Sequence, residues 1–220
     1  VTKMLADAGL DTIVTMTTDL ESAVKDSDFV INTIRPGTSE GRIIDESIPF
    51  KHGLIGQETT APGGMIMGFK TIHATLEIAR AMEKCAKKSC WLINLANPSG
   101  MVSEALNRHS HIHFAGLCNG PTVIREAMNT VYRPEDPNDL FVEVTGLNHL
   151  VFCKVFFKGE DVTETAYEKL LAWAADVLPA LRREFVDADL EKFIGYIPMG
   201  CYNEFYYDFP TCFNDLQKYS

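Results

Sequence analysis

Apolar residues recur along the first half of the chain in two rhythms. Short apolar runs at residues 12–16, 28–34, 91–95 and 113–117 read as strands, and the stretches between them carry helical spacing. Residues 1–8 read as the tail of an amphipathic helix ended by Gly9, and Thr18 and Asp19 read as the cap of a short helix through Val24 and Lys25. The run over 28–34 is largely apolar, which suits a strand buried on both faces of a parallel sheet; Pro36 and Gly37 break it. Met65, Phe69, Ile72, Leu76, Ile78 and Met82 predict a long helix over 64–87. Further helices are predicted over 98–107 and from Pro121 to about Met128, with Pro121 suited to a first turn.

After Asn138 the pattern changes. Residues 140–145 and 150–157 read as strands able to pair, residues 164–185 as one long helix, and the remainder as aromatic and irregular. Strand–helix alternation followed by this switch predicts an α/β fold. Its first part is a doubly wound, Rossmann-like sheet of the lactate/malate-dehydrogenase kind, and an α+β part follows. The expected division is a dinucleotide-binding domain over 1–130 and the start of a substrate domain over 131–220.

Composition narrows the partners. The chain has 220 residues and a formal net charge of −10, which argues against a nucleic-acid backbone but not against one phosphate held by local cations. No apolar run is long enough to cross a membrane, and the opening residues, with Lys3 and Asp7, do not read as a signal peptide. The 6 cysteines are dispersed, so a reduced, cytoplasmic protein is expected rather than a disulfide framework. The chain opens inside a helix without Met, and a piece of a longer protein is expected.

Ligands of doubly wound sheets bind beyond the carboxyl ends of the strands. Three breaks fall there: Arg35-Pro36-Gly37, Asn97-Pro98, and Cys118-Asn119-Gly120-Pro121. Asn97-Pro98 taken alone is an ordinary turn starter, although lactate and malate dehydrogenases have a similar strand ending in such a pair. Cys118, just before a helix start, is placed for a lowered thiol pKa and suits a metal ligand or nucleophile; a lone buried thiol is the plainer alternative. His149, in a turn between two strands, could join a thiolate around a transition metal. His109, His111 and His113 form a weaker candidate cluster. The polar loop over 57–64 leads into the long helix, where its N–H groups could receive an anion or a sugar hydroxyl, or simply cap the helix.

Taken together, these segments resemble glycoside hydrolase family four. The likeness begins at Asp28-Phe29-Val30 and Arg35, runs through residues 45–53, and is strongest over 56–64. It continues at Trp91-Leu92-Ile93-Asn94 with Asn97-Pro98, at Gly116-Leu117-Cys118-Asn119 and at Gly146-Leu147-Asn148-His149. Asn119 after the thiol resembles the 6-phospho-β-glucosidase branch, since the α-acting branch tends to have an Asp general acid there.

The resemblance implies NAD and Mn²⁺, or another divalent metal, as cofactors, and a phosphorylated disaccharide or β-glucoside as substrate. It implies Cys118 and His149 as metal ligands and Tyr202 as the base, with Tyr206 and Tyr207 as fallbacks. Arg35, Asn97, Asn119 and Asn148 would meet the substrate; Ile34, Glu58 and Asn97 would meet the cofactor. The mechanism implied is oxidation at C3, proton removal at C2, elimination, water addition and return of the hydride, an exception to the usual two-carboxylate glycosidases. A homodimer or homotetramer is expected.

The chain also departs from the family. No G-x-G-x-x-G pyrophosphate motif follows a first strand; the family carries it ahead of where this chain starts. Ala61 stands where the family usually has Gly, and Gly120 is a smaller departure. A 2-hydroxy acid dehydrogenase of the lactate/malate type, and an inactive truncated family member, are the competing readings.

Overall fold

A computed structural model describes residues 2–177, 193–200, 209–210 and 213–214. The first part is a parallel sheet in the order β1 (Phe29–Asn32), β2 (Trp91–Asn94), β3 (His113–Gly116). Helices α1 (Thr2–Asp7), α2 (Leu20–Val24), α3 (Thr38–Phe50), α4 (Ala61–Cys85) and α5 (Ser99–His109) precede and connect these strands. The α/β alternation expected from the sequence is present. Asp19 caps α2 as expected, accepting from the Ser22 N–H at 3.0 Å.

Val24 of α2, Ala79 and Met82 of α4, Leu92 of β2, and Val102 and Leu106 of α5 form one core. Leu92 is 0% exposed, and burying a side chain of that size contributes about 1.5–3 kcal/mol. The expectation that residues 28–34 are buried on both faces is corrected: Phe29 and Ile31 are each 67% exposed, since no described element covers that side. The strand expected over 12–16 is also absent. Ile13 is 89% and Met16 98% exposed, and no described strand pairs with that segment, so its backbone groups have no ladder to join.

Helix α3 was not expected. Its apolar Ile43 and Ile44 point outward, 62% and 59% exposed, while the buried positions are Asp45 and Pro49. Asp45 is reached by Lys70 of α4, so an ion pair rather than an apolar stripe fixes this helix.

The second part is an antiparallel sheet. Strand β4 (Leu140–Leu147) pairs with β5 (Leu150–Phe157), which also pairs with β6 (Glu160–Asp161) and β7 (Ile197–Gly200). The β4–β5 hairpin was expected; β7 replaces part of the stretch expected to be irregular. Helices α6 (Gly120–Tyr132) and α7 (Thr163–Val177) cover one face. The helix expected over 164–185 is α7 as far as Val177, and its expected remainder lies outside the described residues. Ile124 and Met128 of α6 pack with Val155 of β5, Leu170 of α7 and Ile197 of β7. By packing, therefore, α6 belongs with the second core.

Candidate active site

The three parallel strands end level. Asn32, Asn94 and Gly116 stand side by side in the register. The Leu95 N–H donates to Asn32 O and the Leu117 N–H to Asn94 O, both at 2.9 Å, which carries the ladder one step past the strands. The next residues, Ile34-Arg35, Ala96-Asn97 and Cys118-Asn119, therefore emerge along one edge, as expected for a doubly wound sheet.

Glu58, in the loop before α4, joins two of these turns. Its Oε2 accepts from the Arg35 guanidinium and lies 3.3 Å from Arg42 of α3. Its Oε1 accepts from Asn97 Nδ2 at 3.0 Å. Burial alone would raise the Glu58 carboxyl, but Arg35, Arg42 and Asn97 outweigh it and hold the group below its ordinary 4.5. Hydrogen bonding to Glu58 raises the Arg35 guanidinium in turn. Arg35, expected as a substrate-pocket cation, is thus an ion-paired one. Arg42 was not expected at all, because it lies on the helix that the hydrophobic pattern hides.

The loop over 57–60 is pressed against the start of α4. A Cβ at Gly63 would sit 2.6 Å from Gln57 O, so the approach requires glycine there. Thr60 occupies the N-cap, yet its hydroxyl bonds Gln57 rather than the helix. Ala61 opens the helix at φ 59°, a left-handed value that disfavours a Cβ.

His149 sits in the turn joining β4 to β5, at φ 62°. Burial lowers its imidazole pKa below 6.5, and the charge of Glu58 pulls the other way, so the turn lies within the electrostatic reach of the Glu58 cluster. Neutral imidazole is the form that ligates metal. Cys118 is partly buried at the entrance to α6, its Sγ 3.8 Å from Asn119 Oδ1. Asn119 occupies the N-cap of α6 without a side-chain cap bond, and Asn148 shares the His149 turn. The Ile34 N–H turns inward to Asn32 Oδ1 at 3.3 Å.

The structure thus links Arg35, Glu58 and Asn97 directly and His149 through its field, with Cys118 on the same strand-end edge. Tyr202, Tyr206 and Tyr207 lie outside the described residues. A cysteine sulfur and an imidazole are donor types fit for a borderline divalent metal. Among the described residues no three His, Cys, Asp or Glu side chains gather as a metal cluster.

A 6-phospho-beta-glucosidase of Escherichia coli K12 is 39% identical over 153 residues, 69% of this chain and 34% of that protein. A 6-phospho-alpha-glucosidase of Lacticaseibacillus paracasei is 40% identical over 134 residues, 60% of this chain and 30% of that protein. The solved 6-phospho-beta glucosidase of Thermotoga maritima with manganese, NAD+ and glucose-6-phosphate superimposes with a TM-score of 0.77 at 33% identity, over 91% of this chain and 46% of that one. The chain spans less than half the length of these relatives. The model of the family 4 glycosyl hydrolases matches residues 1–133, and the chain belongs to that family.

Proposed function

We propose that this chain is part of a 6-phospho-β-glucosidase that works with NAD and a divalent metal, Mn²⁺ or a similar ion. The observation that carries the reading is the Glu58 junction, which ties Arg35 and Asn97 together at the strand ends. The β-acting branch is favoured over the α-acting one by Asn119, which stands after Cys118 where an Asp general acid would serve an α-glucosidase. Family membership favours this reading over a 2-hydroxy acid dehydrogenase.

When bound, the nicotinamide would supply reversible oxidation at C3 of the sugar and the metal would act as a Lewis acid beside it. The chain's own residues supply the rest. Cys118 and His149 would hold the ion. Asn97, with its amide N–H₂ given to Glu58, presents its Oδ1 to a sugar hydroxyl. Asn119 and Asn148 add polar contacts to the sugar, Arg35 carries positive charge to the pocket, and Ile34 and Glu58 would border the cofactor. Tyr202 takes the C2 proton, which the neighbouring oxidised carbon acidifies. The alcohol leaves by elimination and water adds to the unsaturated sugar. The net change is hydrolysis to sugar phosphate and alcohol, and NAD is not consumed. A homodimer or homotetramer in the cytoplasm completes the proposal.

The test is release of chromophore from a 6-phospho-β-glucoside by the product of the complete reading frame, under reducing conditions, with and without NAD⁺ and Mn²⁺. Cleavage that needs both, with no NADH accumulating, is expected. Cleavage without NAD⁺ contradicts the mechanism, and steady NADH formation from a 2-hydroxy acid without cleavage identifies a dehydrogenase.

A further inference from the structure

Beneath the Glu58 junction lies a second link between the same two turns, made of buried side chains. Asn32 ends β1 and Asn94 ends β2; they are register partners, 2% and 0% exposed. Asn32 Nδ2 donates to Asn94 Oδ1 at 2.8 Å and to Thr75 Oγ1 of α4 at 3.1 Å; Thr75 is 0% exposed. Each amide also reaches two residues ahead along its own chain. Asn32 Oδ1 accepts from the Ile34 N–H at 3.3 Å, and Asn94 Nδ2 donates to Ala96 O at 3.0 Å. Burying two primary amides is unfavourable unless their groups are paired, and this arrangement pairs them with each other, with α4 and with the turn backbones.

The residues that follow are Arg35 and Asn97, the two bound by Glu58. The turns are therefore joined twice: above by a half-buried carboxylate, and below by a fully buried amide pair keyed to α4. We infer that Asn32, Asn94 and Thr75 are positioning residues that set the Ile34-Arg35 and Ala96-Asn97 turns relative to each other for catalysis. None of the three needs to touch substrate; they act through the backbone of the turns. This rests on the proposed function for its kinetic consequence, but not for its structural one.

Two substitutions at Thr75 separate positioning from simple packing. Thr75→Val keeps the volume and deletes the acceptor, leaving one Asn32 N–H unpaired in the core. Thr75→Ser keeps the acceptor and deletes a methyl. Both are studied in the product of the complete reading frame, well below its unfolding temperature. Thr75→Val is expected to lower kcat about tenfold with KM within about twofold, while Thr75→Ser keeps kcat, although its lost methyl makes it no more stable. Amide exchange of the Ile34 N–H is expected to accelerate at least about tenfold in Thr75→Val alone, with Leu92 unchanged.

Unchanged exchange at Ile34 in Thr75→Val overturns the inference, whether or not the parent is active. Accelerated exchange with unaltered kcat overturns the catalytic part. A parent that cleaves no phosphoglucoside sinks the proposed function, and accelerated exchange at Ile34 would then still support the coupling of the turns.

Discussion

The two sheets meet the same requirement in different ways. The antiparallel sheet needs only one cover, and α6 and α7 provide it; the first residues of β4 alternate, with Leu140 buried and Phe141 60% exposed. The parallel sheet has α4 and α5 on one side, while Phe29 and Ile31 stand in the open on the other. Parallel sheets are ordinarily covered on both faces. Among the described residues, the half with this open face carries a polar network from Asn32, Asn94 and Thr75 up to Glu58 and its two arginines. Order at its strand ends comes from directional bonds, whereas order in the hairpin half comes from apolar burial around Leu170 and Ile197.

The sharpest way to break this comparison is to truncate each core in turn. Leu92 and Leu170 are both 0% exposed and belong to clusters that share no residue. Leu92→Ala and Leu170→Ala should each cost about 2–5 kcal/mol. Hydrogen exchange should show the added opening mostly in the half that carries the substitution. Equal opening in both halves would show a single cooperative unit.

Glu58→Gln comes next. It removes the charge shared by Arg35 and Arg42 at a half-buried position, and a loss of about 1–2 kcal/mol at neutral pH is expected from denaturant unfolding. The effect carries a pH signature. The Glu58 carboxyl lies below 4.5 in the fold, so its stabilisation is complete above pH 4.5 and fades as pH falls through the lower folded value. The variant's stability should therefore fall less steeply than the parent's below pH 4.5. Parallel curves would remove Glu58 as a folded-state anion.

Ala61→Gly should raise stability by about 1 kcal/mol, because the left-handed φ of 59° is costly for a residue with a Cβ. A lower melting temperature would show that this turn is not left-handed. The smallest effect belongs to the open face. Ile31→Thr, at a 67% exposed site, should change stability by no more than about 0.5 kcal/mol. A loss of several times that size would show the face to be covered in solution.

Much of the fold was legible because it follows the apolar rhythm: β1, β2, β3 and the hairpin fall where the runs of Phe29-Val30-Ile31, Leu92-Ile93 and their neighbours place them. The failures have physical causes. Helix α3 buries Asp45 against Lys70 and turns Ile43 outward, so its pattern reads backwards. Residues 12–16 read as a strand from Ile13, Val14 and Met16 but find no partner among the described residues. Glu58, Asn97, Cys118 and His149 were candidates from the sequence because they sit in sequence motifs. Arg42, Asn32, Asn94 and Thr75 were not singled out, because an amide inside an apolar run has no signature until its partner strand lies beside it.

The central claim is that bond cleavage proceeds by proton removal at C2 rather than by direct displacement at the anomeric carbon. Hydrolysis of a 6-phospho-β-glucoside by the product of the complete reading frame, run in D₂O with NAD⁺ and Mn²⁺ and followed by NMR of the sugar phosphate released, tests it directly. The account predicts deuterium at C2 of the product. A product that retains its original hydrogen at C2 throughout would contradict it.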